Sequence, residues 1–361
     1  VISFWVDRGG SHGIQIYCEN RGRAIAGRFR AHLYEDIPAA IRLPAGAQVF
    51  AAIDRLTSLQ REAVALIWDA HAEVAPSTPR LNDPRHVLLR FELLTRLHQE
   101  GLNTFRVFRA HDARSVNRFP VFIRDINRHH GPRSALLTSR RDLGRALRAL
   151  RLRGDSRDGL MIVEFCDTSS SEGLFRKYAA FNVGNRIIPC HVMVSRRWSV
   201  KSAGAEPDEA SLREGLRYME ENPHADWLRR VFAIAGVDYG RIDYGVLDGA
   251  PQAWEINLNP TLGRRMGHQR EVALAPELLA LRETVRETFH SQLRAAFLAL
   301  DSGSEGPDVE VAIPQSLIKR LHAEAARARR RRTILNWLQG LHDRAPMGFV
   351  RRTASRLFPL R

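Results

Sequence analysis

The stretch RIDYGVLDGAPQAWEINLNP, residues 241–260, constrains the fold most. Asp248-Gly249 is a favoured pair for a short hairpin turn, and apolar residues alternate on both sides of it. With a loop of Asp248-Gly249-Ala250, Leu247 faces Pro251, Asp243 falls opposite Glu255 and Arg241 opposite Asn257. Side chains alternate along a strand, so Glu255, Asn257 and Asn259 share one face. Trp254, Ile256 and Leu258 take the other, which reads as the buried one. Opposed carboxylates repel each other in a sheet. A divalent cation removes the conflict: two carboxylates and an amide oxygen are hard ligands of the kind Mg²⁺ takes while sharing its shell with phosphates. The alternative is a solvent-facing strand pair with incidental acids.

The remainder of the chain fits a globular protein of two to three lobes. Its 361 residues are 44% hydrophobic and 26% charged. No stretch approaches the roughly 20 apolar residues that span a bilayer. The first residues carry no basic region followed by an apolar one, so they predict no export signal. Cys18, Cys166 and Cys190 are few and unpatterned, which fits a reducing cytoplasm and neither a disulfide framework nor a zinc site. Formal net charge is +15, but residues 313–361 hold 12 basic against two acidic residues. Two thirds of the excess therefore lies in the tail and says little about the rest of the chain.

Strands and helices alternate and then give way to hairpins, the order of a mixed α/β or α+β protein with more than one lobe. A proline-marked stretch, APSTPRLNDP, reads as a linker after an N-terminal α/β domain over 1–84. Helical spacing marks 85–101, with Gly101 as its stop, and 139–151, with Ser139 as its N-cap. Residues 118–139 read as two strands around a loop bearing His129-His130-Gly131, and 174–195 as a hairpin turning at Val183-Gly184-Asn185. A central domain is expected over 85–270, a helix over 271–301, a solvated linker DSGSEGPD, and a basic helical tail over 309–361.

The stretch RIDYGVLDGAPQAWEINLNPTLG resembles the last magnesium-binding hairpin of the ATP-grasp superfamily. D-alanine–D-alanine ligases carry an Arg-x-Asp strand followed by Glu-x-Asn in the same arrangement. RFPVFIRDINRHHG resembles the strand and loop that close over the phosphates, and MIVEFCD the strand leading to the adenine hinge. MVSRRWSVKS stands where such ligases carry a lysine facing the phosphates. The resemblance spans residues 80–270 and implies the ATP-grasp fold, two α+β lobes gripping ATP, preceded by a small α/β domain. It implies that Asp243, Glu255 and Asn257 hold Mg²⁺ or Mn²⁺, and that the catalytic Arg241 steadies the transferring phosphoryl group or the developing oxyanion. Glu164, Phe165 and Cys166 match the hinge, the backbone of the latter two meeting the adenine edge. Asp167 or Glu172 would take the ribose hydroxyls, Lys177 a nucleotide contact, and Lys201 a phosphate. The chain departs from the family at Arg124, where a lysine is usual; arginine keeps the charge but offers a planar fork.

The resemblance implies an ATP- and magnesium-dependent cytoplasmic ligase that activates a carboxylate as an acyl phosphate for attack by an amine or thiol. A kinase that stops after phosphoryl transfer is the alternative. A non-catalytic binder of nucleic acid or anionic membranes is another, since the tail sets basic residues between apolar ones at helical spacing. Its partner would be an anionic surface or a protein, and a homodimer is also compatible with the sequence. Arg264 and Arg265 suggest an anionic substrate.

Overall fold

The computed structural model describes residues 1–127, 131–200, 208–262, 275–301 and 306–342, except for the side chains of 12, 331, 332 and 334–342. Its N-terminal layer is a parallel sheet in the order β2 (Phe29–Leu33), β1 (Ile2–Val6), β4 (Ala47–Phe50), β5 (Arg80–Leu81). Helix α1 (His12–Glu19) follows β1, and α2 (Ser58–Val74) follows β4. A capping box between Thr57 and Gln60 starts α2, and Ala63, Val64, Ile67 and His71 form its buried stripe. The stretch expected as a linker is built into this layer. Arg80–Leu81 pair with β4, and the next residue, Asn82, is fully buried. Its amide donates to the carbonyls of Phe50 and Tyr239, and its oxygen accepts from the N–H groups of Asp238 and Tyr239. One side chain thereby sews the N-terminal sheet to the central one.

After α3 (Arg90–Gln99) comes a small lobe. Its antiparallel sheet has the order β6 (Val107–Arg109), β8 (Leu160–Glu164), β7 (Val121–Asp125). Helix α4 (Arg140–Leu152) covers it with Leu143, Leu147 and Leu150, and the Ser139 hydroxyl caps the helix. The second strand expected before residue 139 reduces to a single bridge, Val121 to Leu137.

The large lobe is an antiparallel sheet in the order β10 (Arg186–Ser195), β9 (Phe175–Val183), β11 (Tyr239–Leu247), β12 (Ala250–Asn257). Both hairpins close with two residues at positive φ, Gly184-Asn185 and Asp248-Gly249. That backbone twist matches the twist of the strands. Helices α5 (Glu209–Glu221) and α6 (Ala225–Ala235) flank the sheet. Helix α7 (Pro276–Asp301) lays Phe289, Leu293 and Phe297 against Phe4, Phe181 and Tyr239.

The chain then returns to its start. Strand β13 (Val309–Ala312) pairs antiparallel with β3 (Ala40–Leu43). Leu317 and Ile318, at the head of α8 (Gln315–His342), are buried in one core with Trp5, Phe50, Tyr244 and Val309. The packing therefore does not stop at the expected linker. Glu324 accepts from the Thr57 hydroxyl at 2.8 Å, and beyond it the described side chains of α8 are mostly exposed.

Candidate functional site

A bulge builds the site. Leu247 pairs with Ala250 and Tyr244 with Ala253, one residue tighter than the three-residue loop expected. On that register Glu255 would point through the wrong face. The extra residue Trp254 corrects it, so that Asp243 lies opposite Glu255 and Arg241 opposite Asn257. The expected pairing holds, but the bulge produces it. Of the three residues assigned to the buried face, Ile256 and Leu258 are buried and Trp254 only half-buried. The turn lets the indole lie against Gly245, where a Cβ would stand 2.5 Å from Trp254 Cζ2.

Four cations converge on the two carboxylates. Lys177 Nζ donates to Asp243 Oδ2 at 3.1 Å, and Arg241 Nε donates to Oδ1 at 2.9 Å. Arg90 Nη2 and Arg124 Nη2 both donate to Glu255 Oε2, at 2.5 and 2.7 Å. Burial opposes ionisation of Asp243, but Arg241 and Lys177 outweigh it and hold the carboxyl below its ordinary range, against the push of Glu255. Burial pulls Arg90 down; Glu255 resists this and Arg124 adds to it. Four positive charges face two negative ones. Such a surplus in a half-buried cleft suits a polyanion.

The same residues fit a hard divalent cation. Among the described residues no three Asp, Glu, His or Cys side chains form a metal cage. The candidate set is instead two carboxylates and the Asn257 amide, as suits a magnesium ion that completes its shell with phosphates. Asn257 Oδ1 accepts from the Asn259 N–H at 3.0 Å, which orients the amide and leaves its second lone pair. Asn259 turns instead to the N-terminal domain and donates to the Gly10 carbonyl at 3.1 Å.

Arg90 had no sequence signal, being one arginine among many, yet it joins the lobes. Its Nη1 donates to the carbonyls of Asp125 and Ile126 at the end of β7, while its Nη2 holds Glu255 on β12. Arg124, on β7, crosses the same gap.

The stretch expected as the hinge, residues 164–166, differs from expectation in two details. The Glu164 carboxylate is buried and committed to Arg106, whose backbone N–H, Nε and Nη2 all donate to it at 2.6–3.1 Å. Glu164 is therefore a strut between β6 and β8. The Phe165 N–H donates to the Pro120 carbonyl at 2.9 Å, so this amide is not free for a nucleobase. Cys166 is half-buried 3.8 Å from the Thr104 hydroxyl, and burial raises its thiol pKa, as in an inert cysteine.

Beside the hinge opens a cavity of about 650 Å³ lined by Phe165, Asp167, Phe175, Arg196, Arg197 and Trp198. Trp198 meets Phe122 of the small lobe at 4.9 Å and Phe165 at 5.8 Å between ring centroids, so both lobes furnish the aromatic wall. Trp198 was not expected at the site; an indole after two arginines at a strand end was its available signal. Asp167 lines the cavity, its Oδ1 held by the Ser169 N–H. Glu172 is exposed in the turn from Ser170 to Leu174 and does not line it. Lys201, His129, His130, Arg264 and Arg265 lie outside the described residues.

No family model and no curated protein sequence matches the chain. Solved structures similar in fold include a D-alanine–D-alanine ligase from Bacillus anthracis, at 12% identity and TM-score 0.42 over 81% of this chain and 98% of that one. A second is the ATP-grasp ligase PsnB complexed with a phosphomimetic minimal precursor, Mg and ADP, at 15% identity and TM-score 0.43 over 79% and 97%. A third is a RimK domain ATP-grasp protein from Sphaerobacter thermophilus, at 12% identity and TM-score 0.42 over 82% and 99%.

Proposed function

We propose that the chain is an ATP- and Mg²⁺-dependent ligase that converts a small-molecule carboxylate to an acyl phosphate and joins it to an amine or thiol. The observation that carries this reading is the convergence of Arg90, Arg124, Lys177 and Arg241 on Asp243 and Glu255, with Lys177 on the same face of β9 as Phe175, which lines an aromatic cavity between two lobes. The cavity has the size and lining of a nucleobase site, with Trp198 and Phe165 for the ring and Asp167 for the sugar hydroxyls. Arg196 and Arg197 extend positive charge along its wall.

In this proposal a substrate carboxylate oxygen bonds to the terminal phosphorus and ADP leaves. The nucleophile then adds to the acyl carbon and phosphate leaves. Phosphoryl transfer of this kind is mostly positioning and charge neutralisation. Arg241 and Lys177 place two donors against the terminal phosphate, and Arg124 holds it from the opposite lobe. Asp243, Glu255 and Asn257 would hold Mg²⁺, which supplies charge neutralisation across the phosphates when bound. The guanidinium groups on Glu255 would then turn from carboxylate to phosphate.

The test is ADP release with Mg-ATP against a panel of amino acids and small carboxylates. Glu255→Gln keeps shape but removes a charge, and should lower turnover at least about 100-fold while the far-UV spectrum is unchanged. Turnover at the wild-type rate in both Glu255→Gln and Asp243→Asn would remove these residues from the chemistry.

A further inference from the structure

One histidine on the site face has no part in the proposed transfer. Antiparallel pairing aligns four residues across the large lobe: His191 on β10, Ala179 on β9, Asp243 on β11 and Glu255 on β12. Directly paired residues of a sheet point to the same side, so the imidazole stands on the same face as the carboxylates. Lys177, two residues from Ala179, and Arg241, two residues from Asp243, share that face. A second bulge makes this possible. Pro189 pairs with Ala180 and His191 with Ala179, so Cys190 is the extra residue that sets the orientation of His191.

Between His191 and Asp243 the row carries only the Ala179 methyl group. His191 Nε2 is sealed from solvent and has no hydrogen-bond partner among the described residues. A buried ring nitrogen without a partner costs free energy unless a bound group meets it. Its other nitrogen is taken, since Nδ1 lies 3.2 Å from Cys190 Sγ. Burial pushes the Cys190 thiol up to about 12, so the sulfur keeps its hydrogen and can give it to Nδ1. In that tautomer the ring proton is on Nε2. Burial first, then Arg241, lowers the His191 pKa to about 3, so the ring is a neutral donor.

We infer that His191 is a positioning residue whose Nε2–H donates to an oxygen of the terminal phosphoryl group of a bound nucleoside triphosphate, on the side away from Glu255. This rests on the nucleotide site proposed above. Its chemistry differs from that of the cations: a neutral donor recognises an oxygen without adding charge, and discriminates by position.

The probes are Mg-ADP and the non-hydrolysable triphosphate Mg-AMPPNP, with binding to the whole chain measured by calorimetry. His191→Ala should weaken Mg-AMPPNP about tenfold or more and Mg-ADP less than about twofold, the loss expected for one hydrogen bond to a charged group. His191→Gln, whose amide nitrogen reaches the position of Nε2, should restore most of the difference. Cys190→Ser should preserve it, because serine still donates to Nδ1. Equal loss for both nucleotides in His191→Ala, no loss for either, or no rescue by His191→Gln in a folded protein would overturn this inference alone. Failure of the wild-type chain to bind either nucleotide would overturn the nucleotide reading and this inference with it.

Discussion

Arg90 is 5% exposed at its side chain, with one nitrogen on the Glu255 carboxylate and another on two backbone carbonyls. Removing it leaves a half-buried carboxylate short of one partner and two buried carbonyls short of a donor. Arg90→Met should therefore destabilise the fold by about 3 kcal/mol in urea unfolding. Arg124→Met should cost less, since Arg124 is more exposed and donates to the same oxygen without the two backbone carbonyls that Arg90 also holds. Because the two guanidinium groups share Oε2, the double variant should fall short of the sum. If Arg90→Met proves neutral, the residue is an ornament of the cleft and not its clasp. From sequence, a three-residue loop put Asp243 opposite Glu255; the structure reaches the same pairing through a two-residue turn and a bulge at Trp254. Nothing in the periodicity of α3 distinguishes Arg90 from the arginines around it, because its partners lie 35 and 165 residues away. For Glu164 the sequence carried no sign of the Arg106 side chain that occupies its carboxylate.

The hairpin of β11 and β12 depends on a close approach. A Cβ at Gly245 would stand 2.5 and 3.0 Å from ring carbons of Trp254 and 3.1 Å from Thr168 Cγ2. The indole is rigid, so the ring must move, and with it the bulge that sets the face of Glu255. Gly245→Ala should cost about 1–3 kcal/mol in thermal or urea unfolding and lower Mg-ATP turnover as well. A variant with wild-type turnover and an unchanged melting temperature would uncouple the bulge from the site. Turns were legible at this scale: Gly184-Asn185 and Asp248-Gly249 carry the residue types that tolerate positive φ. Bulges were not, since an inserted residue leaves composition and alternation nearly unchanged on either side. The two-residue strand β5 escaped for a related reason, being too short to show a period between Pro79 and Asn82.

Across the whole molecule, the N-terminal layer is completed by the C-terminal segment. Val309, Val311, Ile313, Leu317 and Ile318 are buried with Trp5, Leu43 and Phe50. At about 1.5–3 kcal/mol for each buried apolar side chain, they are worth on the order of 10 kcal/mol, the stability of an entire domain. A chain ending at residue 307 should not give a cooperative melt. A chain ending at 326 should melt near the full-length protein and keep its upward shift with Mg-ATP. The opposite result, a folded 1–307, would mean that β13 is dispensable. The acidic, glycine-bearing DSGSEGPD suggested a boundary, and VEVA after it is too brief to announce a strand. This return of the chain also governs its birth on the ribosome. Strand β3 is made early, yet its partner emerges 266 residues later, an interval on the order of tens of seconds at cellular elongation rates. Throughout that time an open strand edge and one unroofed apolar wall wait for their partner, alone or held by a chaperone. Added holdase, or faster elongation that shortens the interval, should therefore raise the yield of folded protein.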